Sequence, residues 1–166
     1  MFSYAAAGFT SGNEKLCHAI FLQILHSVNF LHQVKGIAHL DIKLENIVVD
    51  SQYIIKLIDF AYCEAKDQRM FNAKGTERYF APEVAQIYYS RQVWHPDNLL
   101  VKPSYVAEKA DIFSLGILLF TLYFGQPPFT HNIPESSPLL PYLCDPRPEY
   151  QEVFYYNSSV TSQMNF

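Results

Sequence analysis

From His39 to Asn46 the chain sets an imidazole, two carboxylates (Asp41 and Glu45), an ammonium (Lys43) and a side-chain amide within eight residues. A carboxylate or imidazole held beside a reacting group can take its proton, so the set suits acid–base chemistry. The same residue types also furnish ordinary polar turns, in which short polar side chains bond the nearby backbone. Directly after them, Ile47-Val48-Val49 is apolar and β-branched and reads as a strand. The two readings separate only when the rest of the chain is placed around this stretch.

Ser11-Gly12-Asn13-Glu14 fits a capping box, in which the serine oxygen accepts from an unpaired backbone N–H and the glutamate reaches back to the cap. Leu16, Ile20, Phe21, Ile24, Val28 and Leu31 then recur at helical spacing, and Lys35-Gly36 supplies a basic last turn and a residue tolerant of left-handed backbone. The pattern predicts one amphipathic helix over 14–35. His26 and His32 lie on or beside its stripe and, lacking a third ligand, read as packing or surface residues rather than metal ligands. Two β-rich segments, 46–50 and 53–60, are separated by Asp50-Ser51-Gln52 and predict a hairpin. Residues 61–104 hold no sustained period and read as a long functional loop with a surface insertion. Residues 108–124 are apolar on nearly every face, as expected of a helix surrounded by protein, and Gly125 with Pro127-Pro128 ends it. Past Thr130, Pro134, Pro138, Pro141, Pro146 and Pro148 disfavour long regular elements.

Composition narrows the classes. A chain of 166 residues can bury a core of its own, as one domain or part of a larger one. It is 49% hydrophobic and 16% aromatic, a globular composition. A net charge of -4 with only 12 Lys and Arg gives no electrostatic case for nucleic acid or an anionic membrane. A phosphate-bearing partner would have to be met by local chemistry. Cys17, Cys63 and Cys144 are widely spaced, odd in number and without metal-ligand spacing, which predicts reduced thiols. The first ten residues lack a basic leader, and the apolar run 112–124 is shorter than the roughly 20 residues a bilayer requires. A cytoplasmic or nuclear protein, with no membrane or nucleic-acid partner, is the expectation.

His39 to Asn46 is followed by Asp59-Phe60-Ala61, then Gly75-Thr76, then Ala81-Pro82-Glu83, then Asp111 to Gly116. This ordered set resembles the eukaryotic protein kinase family, whose catalytic loop, metal-binding aspartate and activation segment occur in the same order and at similar spacing. The resemblance runs over 14–130. It implies a mainly α fold with a small β-hairpin, the large C-terminal lobe of a kinase, over the chain 1–166. It also implies ATP and Mg²⁺ as cofactors and a protein substrate bearing a serine or threonine hydroxyl. Asp41 would accept the substrate hydroxyl's proton, and Lys43 would steady the γ-phosphate. Asn46 and Asp59 would hold Mg²⁺ through hard oxygen ligands. Val48 would form the apolar floor beneath adenine, and Thr76 would position the substrate-binding loop. Support would come from His39, Phe60, Glu83 and Asp111, the last accepting backbone N–H bonds from the catalytic loop. Lys43 and Thr76 are the family's serine/threonine-type choices.

Several positions depart from the family pattern. Leu40 replaces an arginine that in many members pairs with a phosphorylated loop. Ala61 replaces a glycine, and Leu44 stands where proline is common. No GxGxxG occurs, and Lys56 in Tyr53-Ile54-Ile55-Lys56 lies on the wrong side of the catalytic loop to serve as the family's ATP lysine. The expectation is an incomplete large lobe, without the N-terminal lobe or the last helices, in which Glu83 is a buried carboxylate missing its arginine. A chain of this kind would be inactive alone. The alternative is a non-catalytic kinase-like module that binds partners through its helical surface.

Overall fold

In the computed structural model, residue 10, residues 12–93 and residues 104–128 are described. All of them fall within one unit, residues 1–130. Helix α1 spans Glu14–Phe30 and widens into a π-helical turn over Leu31–Lys35, so the helix over 14–35 is present. Its cap is not the expected one. The Asn13 side chain accepts from the Leu16 N–H, and Glu14 takes a hydrogen bond from the Tyr123 hydroxyl instead of reaching back. Ser11 lies outside the described residues. At the other end Gly36, at φ 68°, takes up the left-handed backbone that stops the helix.

The hairpin forms from β2 (Ile47–Val49) and β3 (Ile55–Leu57), antiparallel with Val48 opposite Lys56. Asp50 closes its turn by accepting the N–H groups of Gln52 and Ile54 on one carboxylate oxygen. It is one of three strand pairs among the described residues. Strand β1 (Ile37–Ala38) pairs with β4 (Glu64–Ala65), and β5 (Arg69–Met70) with β6 (Tyr105–Val106). Residues 61–93 are therefore more ordered than a long loop. Beyond β4 and β5 they hold helix α2 (Pro82–Val93), started by a proline whose missing N–H costs nothing in a first turn. Glu83 is half-buried in that turn, not the buried carboxylate expected, and the helix dipole favours a negative charge there. Residues 94–103, the rest of the stretch expected to hold a surface insertion, and the proline-rich stretch past Thr130 lie outside the described residues.

Helix α3 spans Ala107–Phe124 and ends at Gly125, whose φ is 74°. It buries Ala110, Asp111, Ser114, Leu115, Leu118 and Leu122, yet Ile112, Leu119 and Tyr123 are exposed along one stripe, so it is not enclosed on every face. No helix among the described residues is long and apolar enough to cross a membrane.

Two buried apolar clusters flank the segment 39–46. Cys17, Ile24 and Val28 of α1 meet Ile42, Leu44, Ile47, Ile55 and the α3 residues Leu115, Leu118 and Leu122 in the first. The second joins Leu40 to Met70, Phe80, Val84, Ile87, Tyr105 and Ala110. Burying a leucine or isoleucine side chain is worth about 1.5–3 kcal/mol. Leu40, Ile42 and Leu44 thus fasten the segment to both clusters, and the polar residues between them are held by that anchoring.

Candidate functional site

Asp111, at the first turns of α3, is fully buried and satisfies three donors. One carboxylate oxygen accepts the His39 N–H at 2.7 Å and meets His32 Nε2 at 2.8 Å, while the other accepts the Leu40 N–H at 2.7 Å. That arrangement holds Leu40 at φ 64°, a left-handed conformation costly to a residue with a Cβ. The Leu40 carbonyl then faces Gly75, where any Cβ would stand 2.2 Å from its oxygen. Only glycine fits at 75, and its presence lets Thr76 reach Asp41.

The Asp41 carboxylate, buried at this junction, has both oxygens engaged. Thr76 Oγ1 donates to Oδ1 at 2.7 Å, Lys43 Nζ lies 2.8 Å from Oδ2, and Asn46 Nδ2 donates to Oδ2 at 3.0 Å and to the Asp41 carbonyl at 2.9 Å. Lys43 also donates to Thr76 Oγ1 at 2.7 Å, closing a ring of three side chains. Burial on its own would raise the Asp41 pKa. The hydrogen bonds from Lys43, Thr76 and Asn46 and the lysine's charge outweigh it and hold the carboxyl below its ordinary value.

His39 is buried beneath. Its Nδ1 accepts the Asp41 N–H at 3.3 Å, which leaves Nε2 to donate to the Ile58 carbonyl at 3.1 Å. The ring sits 5.1 Å from that of Phe60, so the histidine couples segment 39–46 to the end of the hairpin. The backbone does the same: the Ile58 N–H donates to the Asn46 carbonyl at 2.9 Å. Asp59, next in the chain, is exposed at φ 63°, its Oδ1 3.4 Å from the Ala61 N–H. Val48 lies half-buried on β2.

Asp41, Lys43, Asn46 and Thr76 thus meet in one hydrogen-bonded cluster, while Asp59 follows the Ile58 bonded to the Asn46 backbone and Val48 lies two residues past Asn46 on β2. Asp111 and His39 bear on it from below. Glu83 stands apart on α2 and, among the described contacts, takes no part in the cluster. Sequence reasoning missed Tyr79, whose hydroxyl accepts the Leu44 N–H at 3.4 Å and whose carbonyl accepts from Ser114 at 2.8 Å. It also missed the buried bond from His32 to Asp111, 79 residues away, which no local pattern signals. Cys17 and Cys63 are free thiols. Cys63 Sγ donates to the His39 carbonyl at 3.8 Å. Cys144 lies outside the described residues. Among the described residues no group of three or more His, Cys, Asp or Glu side chains converges as a metal site.

A profile of the protein kinase domain matches residues 5–139. The phosphorylase b kinase gamma catalytic chain, liver/testis isoform, of Rattus norvegicus is 36% identical over 122 residues, covering 72% of this chain and 27% of its own length. Serine/threonine-protein kinase ppk16 of Schizosaccharomyces pombe is 33% identical over 151 residues, covering 89% of this chain and 20% of its own. The SNF-related serine/threonine-protein kinase of Rattus norvegicus is 33% identical over 132 residues, with coverages of 78% and 16%. The chain spans between 16% and 27% of the length of these relatives.

Proposed function

Because this chain belongs to the protein kinase family, we propose that it carries the phosphoryl-transfer residues of a serine/threonine protein kinase, within the family's large lobe over 14–130. The observation that carries the proposal is the cluster of Asp41, Lys43, Asn46 and Thr76, assembled from segments about 35 residues apart. A serine or threonine hydroxyl of a protein substrate gives its proton to Asp41 as its oxygen bonds to the γ-phosphorus of ATP, and ADP leaves. A carboxylate offers about four lone-pair sites, and three bonds occupy them here, so one acceptor position is left for that hydroxyl. Lys43 offsets charge on the phosphoryl oxygens, and Val48 gives an apolar surface for the base.

The residues present fit Mg²⁺. Asn46 spends its amide nitrogen on Asp41, which leaves the carbonyl oxygen for a cation, and Asp59, which follows the Ile58 bonded to the Asn46 backbone, offers an exposed carboxylate. Both are the hard oxygen donors this ion selects. When bound, the ion neutralises phosphate charge; the chain's part is to hold Asn46 and Asp59 in place through the Ile58 to Asn46 bond.

The test is transfer of phosphate from Mg-ATP to a generic protein substrate, run on the 166-residue chain and on any longer polypeptide its transcript encodes. The chain alone, with no glycine-rich loop in its sequence, should bind Mg-ATP poorly and transfer negligibly. The longer polypeptide should phosphorylate serine or threonine, and Asp41→Asn should reduce that roughly 10²- to 10⁴-fold. A longer polypeptide that binds partners without transfer would favour a non-catalytic kinase-like module instead.

A further inference from the structure

Thr76 is seated on Asp41 and Lys43 by two hydrogen bonds. The side chain at position 40 plays no ionic part in this, because Leu40 is buried among Met70, Phe80, Val84 and Tyr105. The charge pairing lies elsewhere. Lys74, two residues before Thr76, donates to the Glu64 carboxylate, and both side chains are withdrawn from solvent, 21% and 28% exposed. Glu64 stands on β4 opposite Ala38, the residue just before His39. The pair therefore joins the strand that enters the Asp41 segment to the residue that precedes Gly75-Thr76. Lys74, Asp41 and Thr76 also line one small cavity together with Ser114 and Leu40.

The chain between Glu64 and Lys74 is fastened as well. Arg69 and Met70 pair with Val106 and Tyr105, the Ala107 N–H donates to the Gln68 carbonyl at 3.1 Å, and the Tyr105 hydroxyl donates to the Asn72 carbonyl at 3.2 Å. These bonds fix the middle of the segment but not its return to Asp41. Among the described contacts, the Glu64–Lys74 pair is the ionic one that closes the segment on itself. A pair withdrawn from solvent is screened less than a surface pair, and losing one partner strands the other charge.

We propose that Glu64 and Lys74 are positioning residues, an ionic latch that seats Thr76 against Asp41 and Lys43 and so orders the segment between them. The role of Asp41 in this statement rests on the kinase reading; the latch itself is a statement about geometry. Charge complementarity between these two side chains is then what orders residues 64–76.

Amide hydrogen exchange on the 166-residue chain tests it, comparing wild type with Glu64→Gln, Lys74→Met and the charge swap Glu64→Lys/Lys74→Glu. Each single variant should speed exchange at residues 70–80 by about ten-fold and leave the hairpin 47–57 unchanged. The swap, which restores opposite charges in reversed places, should bring exchange back to within about three-fold of wild type. Unchanged exchange in both single variants, or a swap no better than either, overturns the latch. If circular dichroism shows that Lys74→Met does not fold, Glu64→Gln against Glu64→Asp decides. Faster exchange in the amide variant alone supports the latch, and equal exchange in both overturns it. A longer polypeptide without Mg-ATP-dependent transfer would sink the kinase reading and leave this exchange pattern standing, so the two failures are distinguishable.

Discussion

Asp41 shows how a single residue ties chemistry to stability. Burial alone would raise its pKa, but hydrogen bonds from Lys43, Thr76 and Asn46 outweigh this and leave it below the ordinary 3.8. A carboxyl with a folded pKa below its unfolded one contributes its full stability above the unfolded value and loses it as pH falls through the folded value. Urea midpoints measured downward from about pH 5 should therefore fall below about pH 4, and Asp41→Asn, which cannot ionise, should fall less steeply. Parallel profiles would show that the carboxylate is not so held. Cys63 goes the other way. Burial first, and then the negative charges of Asp111, Asp59 and Glu64, push its thiol up to about 11. Against an ordinary value of 9.0, its thiolate fraction near neutrality is about 100-fold lower. Because a thiolate of higher pKa is also the stronger nucleophile, alkylation followed by peptide mapping should find Cys63 about ten-fold slower than a cysteine in a short peptide, with the rate still climbing as pH approaches 11. A rate equal to the peptide's would contradict the burial. The identities of Asp41, Lys43 and Asn46 were legible because they lie within six residues of one another. The bonds from Thr76 and the left-handed Leu40 were not, since they arise only when distant segments meet.

The elements divide by how local their causes are. Helix α1 is readable from its own apolar stripe, and the hairpin from two β-rich runs about a turn centred on Asp50. Strands β1, β4, β5 and β6 are two residues each, too short for a period of two to register, and their partners lie 26 to 37 positions away. Helix α2 does carry a start signal in Pro82-Glu83, but the signal sits inside a stretch whose lack of sustained period reads as loop. Helix α3 is joined to the site through Asp111 alone among its acidic residues, which makes that residue the connection between element and chemistry. Replacing it with alanine would orphan the buried N–H groups of His39 and Leu40 and release His32. Each unsatisfied buried donor costs about 1–3 kcal/mol. Asp111→Ala should thus lower unfolding free energy by about 3 kcal/mol or more in denaturant titrations. A loss under about 1 kcal/mol would mean that Leu40 keeps its backbone without help from α3.

At the scale of the whole chain, apolar surface remains open where the sequence led one to expect cover. Ile112 is 55% exposed, Leu119 38% and Tyr123 37%, in line along α3. A second opening, a groove of about 530 Å³, lies between α1 and β3 and is lined by Phe30, Leu31, Ile55, Leu57 and Phe60. The sequence foretold apolar character at 112–124 but not which face would stay bare, because facing is set by packing partners and not by composition. Asn46 and Asp59, the proposed Mg²⁺ ligands, are not among the residues of either surface, and two oxygen ligands without phosphates would hold the ion weakly, so the melting temperature should be the same with and without it. Contiguous apolar surface instead promotes association. The 166-residue chain should therefore self-associate as its concentration rises, as light scattering after size exclusion would show. Ile112→Glu places a charge in the middle of the α3 stripe, at an exposed helical site where substitutions alter stability by only about 0.5 kcal/mol. It should reduce association and leave the melting temperature near that of wild type. A wild-type chain that stays monomeric at every concentration, or a variant that associates as strongly as wild type, would show that the α3 stripe is not the surface through which copies meet.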